Sequence, residues 1–120
     1  MEDKLGMPER RNLGRLEMIY PVIYTRYDKK GRAWDQKISR LLNVSLGGVR
    51  LQSSFPVDPG EMLDITMALG DNLVSFKGKV IHVTPSEDEG FELGISIEEI
   101  EDRDRVALIR FLCWTQAQVR

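Results

Sequence analysis

Two short runs hold most of the chemistry that this sequence offers. Arg10-Arg11-Asn12-Leu13-Gly14-Arg15 gathers three guanidinium groups. Each is a planar fork of donors that grips phosphate oxygens or a guanine edge in bidentate fashion, and its flat face stacks on a base. Asn43-Val44-Ser45-Leu46-Gly47-Gly48 combines a carboxamide that donates and accepts, a rotatable hydroxyl, and paired glycines. Those glycines permit positive φ and a close backbone approach to a ligand. Taken singly, each run has a plainer reading: a solvated basic linker and a polar turn between strands.

The other reactive side chains assemble no catalytic set. His82 falls inside the strand pattern Lys79-Val80-Ile81-His82-Val83, with no Ser or Cys nucleophile near it in sequence, and is assigned to packing. Cys113 is placed on the apolar face of a helix, also as a packing residue, and a single cysteine allows no internal disulfide. One His and one Cys cannot build a zinc cluster. Glu87-Asp88-Glu89 lacks the glycine and the distributed ligands of a calcium loop. No metal, no cofactor and no enzymatic activity are expected.

The elements that must position the two runs are mostly strands. Leu63, Ile65, Met67 and Leu69 alternate with Asp64, Thr66 and Ala68, and Phe91, Leu93, Ile95 and Ile97 alternate with Glu92, Gly94, Ser96 and Glu98. Leu16, Met18, Tyr20, Val22 and Tyr24 share one parity, with Pro21 suggesting an edge or a bulge. Turn chemistry at Asp28 to Gly31, Pro59-Gly60, Gly70-Asp71-Asn72 and Pro85 to Gly90 separates the runs. Six strands are predicted, at about 16–27, 33–43, 48–53, 62–69, 73–84 and 91–97. Short antiparallel neighbours with one apolar face close most economically into a barrel, because closure removes exposed edges. From Asp102, the expected N-cap, Val106, Ile109, Leu112 and Cys113 share one helical face, predicting a helix over about 102–118 that plugs or flanks the barrel. Residues 1–9 show no period and are expected to form a flexible arm ahead of one domain spanning 10–120.

Composition narrows the function classes. With 120 residues, 42% hydrophobic and 30% charged, the chain fits one small domain that buries a core without disulfides. No stretch approaches the roughly 18 apolar residues of a membrane span, and the charged start lacks the apolar core of a signal peptide, so a cytoplasmic location is expected. The net charge of -2 is uneven. Residues 1–40 carry ten Lys/Arg against six Asp/Glu, and residues 86–120 carry four against nine. An acidic C-terminal third argues against a broad DNA or RNA surface and leaves a small anion held by a local basic cluster.

The order and context of the two runs strengthen them jointly. Arg11 and Arg15 before the first strand, followed by Asn43, Ser45 and Gly48 after the second, resemble the PilZ family of bacterial cyclic di-GMP receptors. That family is marked by Arg-x-x-x-Arg and Asp/Asn-x-Ser-x-x-Gly. The similarity extends through Pro21-Val22-Ile23-Tyr24, Val49-Arg50-Leu51, Pro59-Gly60-Glu61, Phe76-Lys77-Gly78-Lys79-Val80, Leu93-Gly94-Ile95 and Asp102-Arg103. Asn43 stands where many members have Asp, and Ile97 where a Phe is common.

The resemblance implies a mainly β, six-stranded antiparallel barrel with a C-terminal α-helix, and a non-catalytic binding module. It implies that Arg10, Arg11 and Arg15 take phosphate and guanine while Asn43, Ser45, Gly47 and Gly48 receive a base on the barrel surface. Ligand is then expected to order the arginine arm over the barrel and to signal to a protein partner, such as flagellar, pilus or exopolysaccharide machinery. A homodimer is compatible with it. Two other functions are expected to leave different signatures. A PilZ-like interaction module gives no thermal shift with the nucleotide. A barrel for single-stranded nucleic acid needs aromatic platforms, for which Tyr20, Tyr24 and Tyr27 are candidates, the first two already read as core.

Overall fold

A computed structural model describes residues 20–87 and 89–119. Arg10, Arg11, Arg15 and the predicted strand segment 16–19 lie outside the described residues. The six strands are β1 (Pro21–Tyr27), β2 (Ala33–Val44), β3 (Gly48–Ser53), β4 (Met62–Leu69), β5 (Asn72–Pro85) and β6 (Phe91–Glu99). They form a closed barrel in the order β1-β2-β3-β6-β5-β4, every pair antiparallel. One helix, α1 (Asp102–Val119), follows. This is the mainly β barrel with a C-terminal helix that the strand periodicity predicts.

Alternation explains the closure. Leu63, Ile65, Met67 and Leu69 on β4 face inward, as do Val22 and Tyr24 on β1, Leu51 on β3, Val74, Phe76 and Val80 on β5, and Leu93 and Ile95 on β6. Each such side chain contributes roughly 1.5–3 kcal/mol by leaving water. The four expected reversals each contain a glycine of positive φ, namely Gly31, Gly60, Gly70 and Gly90. Pro21 marks neither an edge nor a bulge. It is the first residue of a strand paired on both sides, and the β1–β4 ladder starts only at Val22, so its missing N–H costs no rung there.

Two polar contacts fasten the interior and its rim. The buried Tyr24 hydroxyl lies 2.8 Å from Ser53 Oγ. Arg26 Nε and Nη2 donate to the Glu61 carboxylate at 2.7 and 3.0 Å. Burial acts to raise the Glu61 carboxyl, but the Arg26 hydrogen bond, the Asp58 N–H and the Arg26 charge outweigh it and hold it below its ordinary value.

The helix packs on a different face from the predicted one. Asp104, Leu108, Phe111 and Thr115 are buried, whereas Val106, Ile109 and Cys113 are exposed and Leu112 is half-buried. Apolar residues occur all round this helix, so hydrophobicity alone does not select the seam. Specific contacts do. Phe111 meets Tyr20 edge to face at 5.6 Å between centroids, and Asp104 Oδ1 accepts the Ser75 N–H at 3.2 Å. The β5–β6 ladder runs from Lys77 onward, so α1 takes the place of β6 beside the first residues of β5. The N-cap also moves by one residue, since the Glu101 carbonyl accepts the Arg105 N–H.

Candidate ligand-binding site

The outer face of β2-β3-β6-β5 brings the predicted turn residues together with others that the sequence did not single out. Cross-strand pairing places Asn43 opposite Arg50, Arg50 opposite Gly94, and Gly94 opposite His82, so these four form one row across four strands. A second row runs from Gly48 through Ser96 to Lys79. Over both rows lies a cleft of about 430 Å³ lined by Asn43, Ser45, Gly47, Gly48, Arg50, Ile81, His82, Gly94 and Ser96, among others.

Two bulges put the row's ends on the outside. On β2, Ser39 and Leu41 are buried, and strict alternation would turn Asn43 inward with them; the irregularity between Leu41 and Asn43 reverses the parity. Asn43 is therefore exposed and Val44 buried. On β5, Val74, Phe76, Gly78 and Val80 are buried, and the irregularity between Val80 and His82 turns His82 outward in the same way. Bulges re-aim side chains at the cost of one ladder position. His82, read as a packing residue, packs on the outer face of the barrel and not in its core. Sequence parity points it into the core, and the extra β5 residue, Ile81, points it into the cleft. Cys113, also read as packing, is exposed on α1.

The turn itself is built around one hydroxyl. Ser45 Oγ accepts the N–H groups of Gly47 and Gly48 at 3.2 and 3.3 Å and is 3.3 Å from the Gly48 carbonyl as donor. The Ser45 N–H also donates to the Gly48 carbonyl at 2.9 Å. Gly47 and Gly48 do not use positive φ, contrary to one reason for expecting glycine there. The other reason holds at Gly48: a Cβ there would lie 2.3 Å from the Ile95 carbonyl oxygen. The Gly47 carbonyl meanwhile accepts the Ile97 N–H at 2.9 Å, tying the turn to β6.

Gly94 serves the site in a different way. A Cβ there would stand 2.3 Å from His82 Cε1, so the imidazole occupies the space a side chain would fill and lies flat on the strand. A glycine inside a strand signals such a close approach, so Gly94 is the signal in the sequence that points to a neighbour such as His82. Among the described residues, neither the Asn43 carboxamide nor the His82 ring has a hydrogen-bond partner. Exposed donors, acceptors and an aromatic face on a floor lowered by Gly47, Gly48 and Gly94 suit a planar heterocycle.

Charge separates this cleft from a larger one. A cleft of about 580 Å³ above β4, β5 and the start of α1 is lined by Asp64, Glu99, Glu101 and Asp104 against Lys77 and Arg103. Its carboxylates oppose an anion. The smaller cleft has Arg50 and no carboxylate among its lining residues, and charges of both signs stand at its rim: Lys79 pairs with Ser96, the Ser96 hydroxyl donates to Glu98 at 2.6 Å and Arg50 donates to Glu92. Among the described residues there is no group of three or more His, Cys, Asp or Glu able to hold a metal ion. No helix among them is long and apolar enough to cross a membrane.

Comparison with protein families matches residues 9–113 to the PilZ domain. No curated protein matches the chain. Among solved structures, the inhibitor of motility MotI/DgrA from Bacillus subtilis is similar at a TM-score of 0.74 and 18% identity, covering 94% of this chain and 54% of that one. The PilZ domain of YcgR from Escherichia coli, solved with c-di-GMP, gives 0.61 at 15% identity, covering 83% and 85%. MrkH of K. pneumonia in its apo state gives 0.64 at 16% identity, covering 87% and 50%. The chain spans about half the length of MotI and MrkH, and at these identities the likeness is one of fold.

Proposed function

The chain belongs to the PilZ domain family, and from that premise we propose that it is a cyclic di-GMP receptor that works in the bacterial cytoplasm without catalysis and passes its state to a protein partner. The observation that carries this reading is the row Asn43, Arg50, Gly94 and His82, with the Ser45–Gly48 turn at its end, facing outward as an open cleft. Cyclic di-GMP has two phosphates and two guanines, and so needs cationic forks, stacking planes and donors for base edges. Asn43 and Ser45 hydrogen-bond one guanine. Gly47 and Gly48 keep the floor low, and His82 supplies a stacking surface. Arg11 and Arg15 grip phosphate and the Hoogsteen edge, with Arg10 adding charge or a second stacking plane.

Ligand in this reading draws the arginine segment onto the β2-β3-β6-β5 face, and a partner reads the combined surface. The inhibitor of motility among the similar folds makes a motility apparatus the first partner class to try. One observation favours a pure interaction module instead: Val106, Ile109 and Trp114 are exposed on α1. Calorimetric titration separates the two. The receptor reading predicts saturable binding in wild type. It also predicts that His82→Ala weakens binding by roughly fivefold to a hundredfold, the range of one lost stacking contact. Absence of binding at high nucleotide concentration leaves the interaction module.

A further inference from the structure

Arg50 occupies the middle of the outward row, between Asn43 and Gly94, yet its guanidinium does not point freely into the cleft. Its Nη2 donates to Glu92 Oε1 at 2.9 Å. Glu92 pairs with Gln52, one row away from Gly94 in the direction opposite to the Gly48–Ser96 row. The ion pair therefore draws the guanidinium away from the Ser45 turn. Both side chains remain accessible, at 51% for Arg50 and 33% for Glu92, and a single hydrogen bond joins them.

We propose that Arg50 is a phosphate-binding residue of this site held in reserve by Glu92, so that nucleotide binding exchanges a carboxylate partner for a phosphate one. This rests on the receptor reading above and adds a control element to it. An accessible, singly bonded pair is weak, whereas a phosphate accepts two parallel donors from one guanidinium and carries its charge into a cleft whose lining has no carboxylate. The exchange favours the ligand, but the pair must break first. Glu92 thus acts as a positioning residue that raises the nucleotide concentration at which the site fills.

The test is calorimetric titration of cyclic di-GMP into the full chain and three variants: Glu92→Gln, Arg50→Ala and the double variant. Glu92→Gln is expected to tighten binding roughly two- to fivefold, the worth of an exposed pair. Arg50→Ala is expected to weaken it by about tenfold or more. In the Arg50→Ala background, Glu92→Gln should change affinity by less than about 1.5-fold, because its effect passes through Arg50. A Glu92→Gln gain that persists without Arg50 overturns the proposal, since Glu92 then acts as a bare charge. So does wild-type affinity in either single variant. Binding by wild type with no coupling rejects only this proposal, whereas no binding by any of the four proteins rejects the receptor reading itself.

Discussion

Replacing Arg11 and Arg15 together with alanine is expected to weaken cyclic di-GMP binding by roughly a hundredfold to ten-thousand-fold. Each charge-assisted hydrogen bond to a phosphate or guanine contributes about 1.5–3 kcal/mol net, and every ~1.4 kcal/mol is a factor of ten in affinity. The two arginines act on one ligand, so the double loss can depart from the product of the single losses, and both single variants belong in the series. Thermal unfolding without nucleotide is the control. Among the described residues a continuous apolar core runs from Val22 to Phe111, and the unliganded midpoint is expected to stay near wild type while the ligand-induced rise disappears. Wild-type affinity in the double variant would remove the arginine segment from the site.

Gly48→Ala is the second large effect, and it acts on the fold as well as on binding. The added Cβ would meet the Ile95 carbonyl oxygen at 2.3 Å and the Ile95 carbonyl carbon and Ser96 Cα at 3.3 Å each. These are backbone atoms in the β3–β6 ladder, where Gly48 pairs with Ser96, so no rotamer change relieves the clash. Forcing the strands apart is expected to cost about 2–3 kcal/mol, lowering the unfolding midpoint by roughly 5–15 °C in a chain of this size. Nucleotide affinity should fall too, because the Gly48 N–H and carbonyl hold Ser45 in place. Gly47→Ala is the matched comparison. Its nearest neighbour is Ser45 Oγ at 4.0 Å and its φ is not positive, so it should unfold within about 1 kcal/mol of wild type. Equal stability of the two variants would show that the close approach at Gly48 carries no weight.

Much of the barrel is legible because its core is written in period two. Leu63 to Leu69 and Phe91 to Ile97 give β4 and β6 almost directly, and glycine-containing turns delimit the remaining strands. Alternation fails where a bulge intervenes. It places Asn43 and His82 on the core parity, and a single extra residue in β2 and in β5 turns them both outward. Asn43 is legible all the same, through its spacing to Ser45 and Gly48. His82 has no such partner nearby in sequence, and only the cross-strand Gly94 betrays it. Arg50 and Glu92 read as ordinary exposed charges until register sets them on one face. The helix face departs from the apolar periodicity for another reason. Its buried seam includes Asp104 and Thr115, polar residues that an apolar stripe passes over, while Val106 and Ile109 face outward.

The central claim is that the β2-β3-β6-β5 outer face receives cyclic di-GMP, and residue-resolved amide NMR during nucleotide titration tests it most directly. Saturable perturbations are predicted at Asn43, Ser45, Gly47, Gly48, Arg50, His82, Gly94 and Ser96, with the β4 amides and those of α1 beyond its first turn little changed. No perturbation at saturating nucleotide, or perturbations centred on Asp64, Lys77, Glu99 and Arg103 around the larger cleft, would contradict it.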